Sequence, residues 1–152
     1  MKTLASAEDK AEIVRRLETI GPASERRWGK MTVAEMICHL SDAFRVAMSE
    51  KDAKPVSNVF TRSMMKWFAL QAPMAWPHGV STVPECEAGR GGTPPAEMVR
   101  DLNELGGLLE RFSKRPRAFE FAEHAIFGKM SDEEWLRWGY LHMDHHLRQF
   151  GA

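Results

Sequence analysis

The sequence predicts an all-α fold, on three observations. Thr32 with Glu35 forms a capping box, and Met31 with Met36 the hydrophobic staple beside it. Ser131 with Glu134 and Met130 with Trp135 repeat the device a hundred residues later. Between them, Met98, Leu102, Leu105, Leu109 and Phe112 make a heptad-like apolar stripe. The chain has 152 residues, which suits a single domain over 1–152.

In chain order, Ser6 can cap a first helix running to about Ile20, with Ile13, Leu17 and Ile20 on one face and Gly21-Pro22 closing it. Pro22 to Lys30 is a polar connector in which Trp28 tucks against the end of the helices. The next helix starts at the Thr32 box. Its stripe of Val33, Ile37, Leu40, Phe44 and Ala47 is flanked by Glu35, His39, Asp42, Ala43 and Val46.

Lys51 to Gly92 is the least regular part. Ser57 to Leu70 can form a short helix carrying Phe60, Met64, Trp67 and Phe68, after which Pro73, Pro77 and Pro84 with Gly89, Gly91 and Gly92 impose a turn-rich path. An excursion of that length reads as a lid or pocket wall, with Trp76 and His78 as lining candidates; otherwise His78 is a solvated loop histidine. Thr93-Pro94-Pro95 is expected to start the next helix. Gly106-Gly107 within it suggests a close neighbour or a local bend. Arg117 to Lys129 is a packed connector, where His124 reads as loop surface unless it approaches the other histidines.

The final helix, from Ser131, concentrates the chemistry. Residues advance by about 100° each, so His142 and His146 share a face one turn apart, with Trp135, Trp138 and Gln149 on that stripe and His145 about 60° round from His142. A purely packing helix has no reason to border its apolar stripe of Leu136, Tyr140, Met143 and Leu147 with imidazoles, each of which needs partners. His39 lies about 10 Å from its helix start, and the midpoint of His142 and His146 about 7 Å from the end of theirs. If the two helices run antiparallel, the three rings come level.

Three nitrogens from two helices leave metal positions open for water or substrate. Neutral imidazoles suit Zn, Ni or Fe(II). Met143 stands where H-E-x-x-H would need its glutamate, so the zinc-protease pattern fails. Gln149 is placed to hydrogen-bond a ligand histidine or substrate, and Glu35 and Asp42 are the acid/base candidates nearest His39, unless both are the solvated edge of their helix. Cys38, off the His39 stripe, reads as a packed small side chain, and no residue is assigned to an organic cofactor.

Composition excludes several classes. Lys plus Arg equals Asp plus Glu at 21 each, which leaves no net field for nucleic acid or an anionic membrane. No apolar run approaches a membrane span. Two cysteines without C-x-x-C spacing and no signal-like N-terminus suit a reduced, cytoplasmic setting.

The C-H-L at Cys38–Leu40 on an early helix and H-x-x-H-H-x-x-Q at His142–Gln149 on the last resemble the DinB/YfiT-like superfamily of four-helix metalloproteins. The stretch His124–Gly151 resembles a branch of it classed as a domain of unknown function. The resemblance implies an up-down-down-up four-helix bundle, here with a long irregular insertion between helices 2 and 3. It also implies a divalent metal on His39, His142 and His146. Several members of that superfamily are transferases using bacillithiol, mycothiol or glutathione, and others are hydrolases or isomerases. This chain ends H-H-L-R-Q where H-H-R-G-Q is commoner, which leaves the metal pattern intact. The expectation is a metal-dependent S-transferase or hydrolase acting on a small molecule, with a low-molecular-weight thiol as partner; homodimer pairing is compatible with it. The alternative is a non-catalytic metal- or ligand-binding helical module that mediates an interaction.

Overall fold

The computed structural model describes residues 1–56, 59–72 and 74–152, with no side-chain description at 59–61. Among them are five α-helices and no strand: α1 Ala7–Leu17, α2 Val33–Ala47, α3 Val59–Gln71, α4 Met98–Ser113 and α5 Asp132–Gln149. Among the described residues, no helix is long and apolar enough to cross a membrane.

Local sequence accounts for the helix starts. Ser6 Oγ accepts from the Asp9 amide, and Thr32 and Ser131 each close a full capping box with Glu35 and Glu134. α1 stops at Leu17, short of the expected Ile20, although Ile20 is still buried in the turn that follows. The start expected for α3 at Ser57, the Phe60 side chain and the breaker Pro73 lie outside the described residues. Met64, Trp67 and Phe68 on α3 face outward, while Leu70 is buried and Lys66 pairs with Glu134 of α5 at 3.0 Å.

α4 does not begin at Thr93-Pro94-Pro95. A residue before a proline is disfavoured in a helix, and Thr93 is tied instead to Asp42, which accepts from its amide at 2.6 Å and its hydroxyl at 2.8 Å. The helix starts instead at Met98, where the Glu97 carboxylate accepts from the Val99 and Arg100 amides. Gly106 and Gly107 are not close-approach positions either, since a Cβ on either would meet nothing within 4 Å. The tight glycine is Gly139 of α5, where a Cβ would lie 2.7 Å from the Phe112 ring and 2.8 Å from Leu4.

Cross-helix partners give the directions. Cys38, Arg45 and Glu50 meet Asp101, Glu104 and Arg111 in turn, so α2 and α4 run the same way. Leu4, Glu12 and Arg16 meet Leu136, Tyr140 and Asp144, so α1 and α5 are parallel. His39 lies against His146 while Phe44 lies against Trp138, so α2 and α5 are antiparallel. The core between them is filled by Met36, Ile37, Leu40, Phe44, Leu105, Leu109, Phe112, Trp135, Met143 and Leu147.

Asp42 ties the excursion to this core. Its carboxylate is 1 % exposed and is met by Lys51 at 2.9 Å, Arg45 at 2.9 Å and both groups of Thr93. Burial alone would raise its carboxyl, but the bonds from Thr93 and Lys51 outweigh that and hold it below the ordinary range. The two ends of the 51–92 excursion are thus pinned to one side chain of α2.

Candidate metal centre

The antiparallel crossing of α2 and α5 brings His39, His142 and His146 together. One ring nitrogen of each lies within 4.8 Å of the others, and the Nε2 atoms of His39 and His142 are 3.0 Å apart. A tetrahedral ion about 2.0–2.1 Å from each nitrogen needs spacings of about 3.3 Å, so the rings would have to draw together around it. The group is buried: His39 is 7 % exposed and His146 8 %, with His142 slightly more open. Trp138 packs beside His142 at 4.8 Å between ring centroids, carrying the histidine stripe into the aromatic core.

Hydrogen bonds on the far nitrogens fix the tautomers. His39 Nδ1 lies 3.0 Å from the Cys86 carbonyl. A carbonyl only accepts, so Nδ1 carries the proton and Nε2 presents a bare lone pair to the centre. His146 Nδ1 lies 2.8 Å from Gln149 Oε1, and the amide's own orientation is set because its Nε2 donates to the Trp28 carbonyl at 2.9 Å. His146 therefore also offers an unprotonated Nε2. Two lone pairs aimed at the same point as a third imidazole are satisfied either by a neutral His142 that donates its Nε2–H to His39 Nε2 across 3.0 Å, or by a cation between the rings.

Protonation does not supply that cation readily. Burial lowers the His39 value, and it lowers His142 and His146 well below the imidazole norm, with the neighbouring rings pushing the same way. The three stay neutral, which is the metal-binding form. The residues that are present, three convergent neutral imidazoles of which two have oriented outer partners, can hold a divalent metal ion.

A family described as "Protein of unknown function (DUF1569)" matches residues 3–152. The chain belongs to DUF1569. No curated protein and no solved structure matches it.

The other candidates in this DUF1569 chain fall elsewhere. Glu35 spends its carboxylate on the Thr32 amide at 2.7 Å, inside the capping box. Asp42 is not a solvated helix edge; it is a buried anchor with both oxygens occupied. Gln149 is 4 % exposed and bridges His146 to Trp28. His124 is not loop surface: it is partly buried, stacks on Phe127 at 4.4 Å and packs against Trp135 and Trp138. Its Nδ1 accepts from the Ile126 and Phe127 amides, and burial pushes its value down to about 4. His78 is exposed but stacks flat on Trp28, with centroids 4.0 Å apart. Trp76 stands over the centre, 5.8 Å from His142 and 6.1 Å from His145. Neither thiol is a nucleophile here, because burial pushes Cys38 up to about 11 and Cys86 up to about 12.

Three contributors to the centre have no side-chain signature in the sequence. The Cys86 carbonyl orients His39, and the Trp28 carbonyl orients His146 through Gln149, both through backbone atoms. Gly29, at φ +79°, leaves room for Gln149, since a Cβ there would sit 2.5 Å from its Nε2.

Proposed function

We propose that this protein is a divalent-metal-dependent enzyme acting on a small molecule, with His39, His142 and His146 as the metal ligands. The observation that carries the reading is the pair of protonated Nδ1 atoms, on His39 and His146, which turn two bare Nε2 lone pairs toward the third imidazole. A metal held by three neutral nitrogens keeps open positions and lowers the pKa of a thiol or water bound there. The chain's residues orient that centre: Cys86 and Gln149 fix the rings, and Trp76 shields one side.

The helix directions support placing α1, α2, α4 and α5 in the up-down-down-up bundle of the DinB/YfiT-like superfamily, with α3 and its flanking loops as an insertion. By that analogy the reaction is thiol-dependent S-transfer, with hydrolysis next, and the metal is Zn, Ni or Fe. A low-molecular-weight thiol as co-substrate and a reduced, cytoplasmic setting fit the two unpaired cysteines.

A second reading is favoured by a specific observation: both carboxylates first considered as acid/base groups, Glu35 and Asp42, are engaged in holding the fold. On that reading the centre binds metal or ligand without turnover and the protein serves an interaction. Metal analysis after reconstitution, paired with a thiol-transfer assay over a panel of electrophiles, separates the two. The enzyme reading predicts near-stoichiometric metal, its loss in His142→Ala and metal-dependent turnover. Stoichiometric metal without turnover on any thiol favours the binding module, and no metal at all overturns both metal readings.

A further inference from the structure

Beside the triad lie two enclosed nitrogens that the centre does not use. Trp28 Nε1 and His145 Nδ1 are both shut off from solvent, and neither has a hydrogen-bond partner among the described residues. Their rings meet edge-on with centroids 5.9 Å apart. His145 is also 5.1 Å from the ring of His146, and Trp76 and His78 each lie 6.1 Å from it. Two orphaned polar atoms therefore share one corner with the metal ligands, walled by flat rings. Trp135 Nε1 is orphaned too, but it is sealed at 1 % exposure within the aromatic core and has no such corner.

The chemistry of the pair selects the ligand. An indole N–H only donates, so Trp28 calls for an acceptor. His145 Nδ1, in the tautomer that bears its proton, donates as well, so both atoms call for an acceptor oxygen. Charge narrows it further. Three neutral imidazoles leave a divalent ion uncompensated, and Glu35 and Asp42 are engaged elsewhere; an anionic ligand supplies the missing charge.

We propose that Trp28 Nε1–H and His145 Nδ1 form a subsite for the carboxylate of a small-molecule ligand whose reactive end lies over the triad. Assigning that carboxylate to the substrate rests on the metal reading above; the subsite itself does not.

The test is an indole N–H correlation spectrum of the full chain, metal-free and zinc-loaded, with the Trp28 resonance assigned through Trp28→Phe. Propionate should move that resonance saturably, propylammonium should leave it in place, and His145→Phe should weaken propionate at least about tenfold. If His145→Phe does not fold, saturation transfer from the protein to propionate, lost in Trp28→Phe, reads the same property. No response to propionate, an equal response to propylammonium, or full affinity in a folded His145→Phe overturns the subsite. Zinc retained without propionate binding sinks the subsite alone. Propionate binding without zinc retention sinks the metal reading and leaves the subsite standing.

Discussion

His146 and His145 are neighbours on one helix, yet their nitrogens meet opposite treatment. The Nδ1 of His146 is bonded to Gln149, which is itself held by the Trp28 carbonyl. The Nδ1 of His145 is shut off from solvent and has no hydrogen-bond partner among the described residues. His124 is a third kind, with its Nδ1 satisfied by two amides and its ring stacked into the core. Burial alone does not distinguish a ligand histidine from a structural one. What sets His146 apart, like His39, is an outer partner that fixes the proton on the far side of the ring and leaves the near nitrogen bare.

The largest effect should separate the inner ring from the outer. His39→Ala should abolish retention of stoichiometric metal through dialysis against a weak chelator, while His145→Ala keeps it, as read by elemental analysis. Equal loss in both would erase the distinction. Next in size, Gln149→Leu frees the His146 tautomer and should weaken zinc by about 10–100-fold in a competition titration. Gly29→Ala should act in the same direction, because its Cβ displaces the Gln149 amide and the residue must hold a positive φ. Unchanged zinc affinity in both variants would mean that the bridge to Trp28 is packing and nothing more.

A smaller effect tests His124 as the structural benchmark. Its folded-state value lies at about 4 against 6.5 for a free imidazole, because of burial. The unfolded chain therefore takes up the proton first as pH falls, and stability drops between about pH 6.5 and 4 by up to about 1.4 kcal/mol per unit for this group. His124→Asn keeps an acceptor for the Ile126 and Phe127 amides but does not titrate. Denaturant midpoints of the metal-free protein should then fall less steeply with acid, and an unaltered slope would show that the ring is not buried neutral. The smallest effect is on the scaffold: Gly106→Ala fills open space in a helix interior and should stabilise by about 0.4–1 kcal/mol in urea unfolding.

The helix starts were legible because caps are local: Ser6, Thr32 and Ser131 act within three residues of themselves. The grouping of His39 with His142 and His146 was legible because depth along a helix is a count of residues, and two such counts matched under an antiparallel pairing. The start of α4 was misread because the bonds that hold Thr93 outside the helix come from Asp42, fifty-one positions away. Gly106-Gly107 drew attention by composition, whereas the glycine that packs, Gly139, sits among aromatics whose convergence only the fold creates. The Cys86 and Trp28 carbonyls were invisible for a simpler reason, since every residue has one and only tertiary placement makes either a partner of histidine.

X-ray absorption at the metal edge of the zinc-reconstituted protein addresses the centre itself. Three imidazole nitrogens at about 2.0–2.1 Å, a shell that His39→Ala no longer shows after the same dialysis, is the result expected. A first shell containing sulfur, or one with fewer than three imidazoles, or one that does not change when residue 39 is replaced, would contradict it.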